Sequence, residues 1–256
     1  MSPDRRTAVA AGSLFLLTEV AAIAGAVLYR PLLGAADVRL AHGADTRALL
    51  GVLCEVVLVA AVAGTGAALF PVLRRHGEGL ALGYAFGRLL EAAVIALGTV
   101  AVLALVTLRR DTEAAAGADV ALAALHDWTF LLGPNIALGL NTVLLAYLAY
   151  RARLVPRFIA VLGLVGGPLI CASAVAVMFG AYAQLSVAGS AAALPVFAWE
   201  LGLAGWLIIR GFGPGAGATP RPGGEAAEPA GVRRGEAAEP AGCPPMTRNT
   251  AATRGR

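Results

Sequence analysis

The sequence predicts an all-α polytopic integral membrane bundle of six transmembrane helices, with the N-terminus and C-terminus both cytoplasmic. Three observations carry this. Of 256 residues, 58% are hydrophobic and only 14% charged, and the mean hydropathy is +0.75, outside the usual range of a soluble domain. Six apolar runs reach or approach the roughly 20 residues that cross a hydrocarbon core of about 30 Å. The arginines are divided unequally between alternate connections.

The first span, 9–29, follows Arg5 and Arg6 and holds Glu19 at its middle. Two arginines before an apolar run that contains Ala22-Ile23-Ala24 also fit a cleaved signal peptide. Glu19 interrupts that run, and its length suffices to span, which favours a retained helix. A polar loop with Asp37, His42 and Asp45 leads to the second span, 48–73, which carries Glu55. The third, 84–108, carries Arg88 and Glu91. At its start Gly79, Gly83 and Gly87 recur every fourth residue, which places them on one face and predicts close backbone packing. Neither this run nor Gly163/Gly167 is a phosphate loop, since no lysine exists in the chain and the context is apolar helix.

The loop before the fourth span, 128–150, holds Asp111, Glu113, Asp119 and Asp127, with His126 at the rim. Within that span Pro134 removes a backbone donor and frees a carbonyl one turn earlier, which Asn135 or a neighbouring helix can satisfy. The fifth span, 158–182, contains Pro168, a candidate kink. The sixth, 194–209, is short, with a lead-in turn expected at 190–195. Residues 1–212 therefore read as one six-helix membrane domain. Residues 213–256 are rich in Gly, Pro, Ala, Glu and Arg and repeat GEAAEPAG at 224–231 and 235–242, a composition that predicts a disordered cytoplasmic tail.

All 20 basic residues are arginine. With the N-terminus inside, cytoplasmic segments hold Arg5 and Arg6; Arg74, Arg75 and Arg88; Arg151, Arg153 and Arg157; and Arg210 with six tail arginines. Outer segments hold only Arg30, Arg39, Arg47, Arg109 and Arg110, the bias of a cytoplasmic (inner) membrane protein with both ends inside. These arginines cap apolar spans rather than form a basic patch with interleaved aromatics, so no nucleic-acid partner is expected. Cys54, Cys171 and Cys243 lack metal-ligand spacing and predict no disulfide.

Three stretches taken together resemble a bacterial membrane family known as domain of unknown function 4386. They are ALFPVLRRHGEGLALGYAFGRLLEA at 68–92, HDWTFLLGPN at 126–135 and RLVPRFIAVLGLVGGPL at 153–169. The likeness runs from about Arg6 to Phe212 and excludes the tail. It implies the six-span fold and brings no activity, cofactor or catalytic residue with it.

Function must then be read from intramembrane polar groups. A charge near the bilayer centre costs at least about 2.5–3.5 kcal/mol, so such groups face the bundle interior and need partners. Counting helical rise from the span ends puts Glu55 and Glu200 roughly 10 Å below the outer surface, near His126 and Asp127, so that these four are expected to converge. Arg88 and Glu91, three residues apart in the cytoplasmic half, are expected to form a structural ion pair. Asn135 and Asn141, six apart, point to different faces of the fourth span and are expected to bond between helices or to a ligand. Glu19, Glu55, Glu200, His126, Asp127, Asn135 and Asn141 are thus the candidate polar core or ligand and proton site. No catalytic residue, metal set or cofactor is expected: one imidazole among scattered carboxylates is a poor metal site, and Ser173 and Ser186 lack a nucleophile's setting.

Two function classes compete beyond the lipid bilayer itself as partner. One is a transporter-like protein for a small polar or amphipathic solute, supported by the glutamates, the proline sites and the glycine faces. Absence of a detectable inverted repeat and the small size count against it. The other is a non-catalytic membrane protein that stabilises or regulates a protein partner. A membrane-embedded lipid-acting enzyme is third, for want of a nucleophile or metal set.

Overall fold

The computed structural model describes residues 2–33, 44–108 and 117–214. They belong to the first of two compact units, Met1–Pro220. The tail expected to be disordered lies outside the described residues from 215 onward, as do the greater parts of the two loops after spans one and three.

In hydrocarbon every backbone N–H and C=O must be satisfied inside the segment, and an apolar run meets that demand as a helix. The helices are α1 (Pro3–Leu33), α2 (Ala44–Leu73), α3 (Glu78–Leu108), α4 (Ala118–Leu131), α5 (Leu138–Arg151), α6 (Arg157–Met178) and α7 (Val187–Ile209). A π-helical stretch, Leu132–Ala137, joins α4 to α5, so these three pieces make one span. Six helical segments are thereby long and apolar enough to cross a membrane. Their outward faces expose large apolar side chains such as Val20, Leu53, Leu90, Val100, Phe158 and Val165. A surface of that kind suits lipid and not water.

The helices run longer than the apolar runs. α7 begins at Val187, capped by Ser186, whose hydroxyl accepts from the Gly189 amide at 3.2 Å. The lead-in turn expected at 190–195 is therefore helix, with Pro195 inside it. α6 instead stops early, at Met178, where Gly180 adopts a left-handed φ of 76° and turns the chain before the expected end at 182.

Neighbouring spans pack in a closed ring: α1 on α2, α2 on α3, α3 on α4 and α5, α5 on α6, α6 on α7, and α7 back on α1. Small residues let the backbones approach. A Cβ on Gly51 would lie 3.1 Å from the Gly25 carbonyl, one on Gly167 2.7 Å from the Gly139 carbonyl, and one on Gly12 2.8 Å from the Ala204 carbonyl. The Gly79/Gly83/Gly87 face does not do this. A Cβ on Gly79 would meet nothing within 4 Å, one on Gly83 only Leu144 at 3.9 Å, and Gly87 makes room for the Asn141 side chain rather than a backbone.

One end of the ring is solid. Phe15, Leu69, Leu73, Leu148, Leu154 and Leu207 share a buried cluster there. Arg5 reaches across to the C-terminus of α7, donating to the Leu207 carbonyl at 2.9 Å and the Ile208 carbonyl at 2.6 Å. Its charge sits where the helix dipole is negative. Arg75 beside Asp4, at 3.2 Å, ties α2 to the start of α1. Toward the other end the interior is hollow.

Candidate functional site

All six spans contribute to one central cavity of about 350 Å³. Glu19 of α1, Glu55 of α2, Arg88 and Glu91 of α3, His126 of α4 and Glu200 of α7 line it. Two polar clusters stand in its wall.

Arg88 is the centre of the first. Only 2% exposed, it has no water to lean on, and a buried guanidinium without partners is very costly. Every nitrogen finds one. Nε donates to Thr65 Oγ1 at 3.0 Å and Tyr84 Oη at 3.2 Å, Nη1 to both Glu91 oxygens at 3.1 Å, and Nη2 to Glu200 Oε1 at 3.4 Å. The Phe15 ring packs 5.1 Å from its Cζ, in cation–π range. Glu91 is held in turn by the Asn141 amide, which donates to Oε2 at 2.7 Å. Glu19 of α1 stands beside Glu200 of α7 in the same wall. Three carboxyls thus gather about one guanidinium.

The second cluster joins Glu55, His126 and Tyr29. His126 Nε2 lies 3.9 Å from Glu55 Oε1, Tyr29 stands beside the Glu55 carboxyl, and the Tyr29 and His126 rings meet edge to face at 5.0 Å. Glu55 Oε2 and His126 Nδ1 are buried without a hydrogen-bond partner. Of the four groups expected to converge, Glu55, His126 and Glu200 line the one cavity, but Glu200 does not join the cluster of Glu55 and His126. Glu200 pairs with Arg88 instead, because α7 starts at Val187 and places Glu200 thirteen residues, roughly 20 Å, along its helix rather than six. Asp127 stands 3.7 Å from His126 Nδ1 with its side chain 76% exposed, on the rim and outside the central cavity.

The π-helical turn forms part of the wall. Pro134 cannot donate to the Phe130 carbonyl, and Asn135 Nδ2 does so at 3.2 Å. Wide turns of this kind often mark functional sites. Pro134 and Asn135 both line the cavity, whereas Asn141 serves the ion pair. A second cavity, of about 650 Å³, adjoins the first at Tyr29, His126 and Phe130 and extends to Arg30, Asp127 and Trp128 at the rim. Among the described residues, no group of three or more His, Cys, Asp or Glu side chains is placed to hold a metal.

Sequence reading missed Thr65 and Tyr29, which look like ordinary span residues, and Tyr84, which its place four residues before Arg88 on one helix could have marked. The family described as Domain of unknown function (DUF4386) matches residues 10–211. The chain belongs to the DUF4386 family. That match covers the first candidate span from residue 10 and the other five whole, so the cavity and both polar clusters are parts of the DUF4386 domain. No curated protein and no solved structure matches the chain.

Proposed function

We propose that this multi-pass protein is transporter-like: it sits in the bacterial cytoplasmic membrane with both termini inside and carries a small polar or amphipathic solute through its central cavity, coupled to protons. One observation carries the reading. Glu19, Glu55 and Glu200, on three different helices, line a single cavity rather than being capped separately. Intramembrane carboxyls that face a shared cavity are the usual substrate and proton groups of membrane carriers. The neighbouring carboxyls of Glu19 and Glu200 are a natural coupling element, since a bound solute that disturbs Arg88 changes the field at both.

The ring is latched at the end where Arg5 and Asp4 act and hollow toward the other, as an outward-facing state requires under the arginine-derived orientation. Proteoliposomes holding the full chain test the reading. Under an imposed proton gradient, uptake of small organic cations, anions and neutral solutes should exceed that of empty liposomes for at least one class. Glu55→Gln and Glu200→Gln should abolish it. No flux of any class would favour a protein that stabilises or regulates a partner.

A further inference from the structure

We infer that the central cavity selects amphipathic organic ammonium ions, with Glu55 as the cation anchor; this rests on the carrier reading and names its substrate class. The charge inventory of the lining comes first. Four carboxyls, Glu19, Glu55, Glu91 and Glu200, face one guanidinium, Arg88. That guanidinium is already engaged: Nε meets Thr65 and Tyr84, Nη1 meets Glu91, and Nη2 reaches Glu200. An anionic solute therefore meets a guanidinium already paired with two carboxylates and an excess of acid groups around it. A cation meets the opposite.

Glu55 is the carboxyl left to serve. Its side chain is 7% exposed and lines the cavity, yet Oε2 has no hydrogen-bond partner. A buried acceptor left unmade keeps its desolvation cost, larger when charged, which a donor brought by a ligand removes. Aromatic rings surround this anchor. Tyr29 and His126 meet at 5.0 Å and His126 stacks with Phe130 at 6.4 Å, and the Tyr and Phe rings are of the kind that attracts ammonium groups. The remaining wall is aliphatic, with Ala22, Ile23, Leu58 and Ile95. Such a lining accepts an apolar body behind a charged head. The volume of about 350 Å³ lies at the small end of ligand pockets.

Three isosteric probes separate charge from shape: 2-phenylethylammonium, 2-phenylethanol and phenylacetate. Isothermal titration into the purified full chain in nanodiscs should show the ammonium binding at least tenfold more tightly than the alcohol, and phenylacetate not binding. Glu55→Gln should weaken the ammonium at least tenfold and leave the alcohol within twofold. The rank order in the unmodified protein decides the point even if the variant does not fold. Alcohol binding equal to ammonium, preference for phenylacetate, no binding of the ammonium, or a folded Glu55→Gln with unchanged affinity would each overturn the proposal. Ammonium binding without flux in proteoliposomes would sink the carrier reading alone, whereas flux of an anionic or neutral solute with no ammonium binding would sink only this one.

Discussion

The Asn141 side-chain amide donates to Glu91 Oε2 across 2.7 Å, fastening the fourth span to the buried Arg88–Glu91 pair of α3. Arg88 and Glu91 are 2% and 3% exposed, so neither has water to fall back on. Glu91→Leu leaves the guanidinium with Glu200 and two hydroxyls, and should lower stability by about 3–5 kcal/mol. The double replacement Arg88→Leu/Glu91→Leu should recover part of that loss, because the penalty lies in the stranded charge. Thermal unfolding of the three variants in detergent checks this. A double variant as damaged as the sum of the two singles would show that the groups act independently.

The backbone contact between Gly139 and Gly167 sets the distance between α5 and α6. A methyl group on Gly139 would come 2.8 Å from the Gly167 carbonyl and 2.9 Å from Ile170 Cγ2. Gly139→Ala should therefore destabilise by about 1–3 kcal/mol, as overpacking does. Gly79→Ala meets open space in a helix and should be neutral or stabilise by up to about 1 kcal/mol. Equal effects at the two positions would contradict the packing described.

Arg5 closes the ring at the α7 terminus. Arg5→Ala removes charge-assisted bonds to two successive carbonyls and should cost about 1.5–3 kcal/mol per strong bond at most, less its exposed share. Labelling of a cysteine placed at Thr18, on the cavity side of that closure, should speed up in the variant. An unchanged labelling rate would mean that Arg5 is not the latch.

His76, in the turn between α2 and α3, gives a pH dependence with a definite sign. Burial first, and Arg75 beside it second, hold the imidazole below its ordinary 6.5, and Nε2 has no hydrogen-bond partner. As pH falls through 6.5 the unfolded chain takes up this proton before the folded one, so stability falls with pH and levels off once the folded state is protonated too. His76→Gln should flatten that slope. Unfolding midpoints measured from pH 7.5 down to about 5 compare the two.

Orientation is open to a direct test. Reporter fusions at Arg75, Arg153 and Arg210 should read cytoplasmic, and fusions at His42, Glu113 and Ala183 external. Ala183 lies in the turn before α7, which begins only at Val187. A reversal at a middle position would defeat the arginine-based assignment.

What the sequence determined by itself was whatever depends on composition and on near neighbours along one helix. Six apolar runs dictate six helices because unsatisfied backbone is not tolerated in lipid, and Arg88 faces Glu91 because residues three apart share a helix face. Asn135 beneath Pro134 is equally local: the missing donor and its replacement are adjacent in the chain. Tertiary structure decided the rest. Where Glu200 lies depended on α7 starting at Val187, a point fixed by the Ser186 cap and not by hydropathy. Gly79, Gly83 and Gly87 had the spacing of a packing face, but α3 meets α2 chiefly elsewhere, where Gly66 would bring a Cβ 3.1 Å from Arg88 Cβ. Thr65 and Asn141 became partners of the ion pair only when three spans met around it, whereas Tyr84, four residues before Arg88, lies on the same helix face; Tyr29 came beside Glu55 only across α1 and α2. Hydropathy reports how deep a residue sits and its own helix reports which side it faces, but the neighbour across the gap is set by helix rotation and interaxial distance, which small residues on both helices choose jointly.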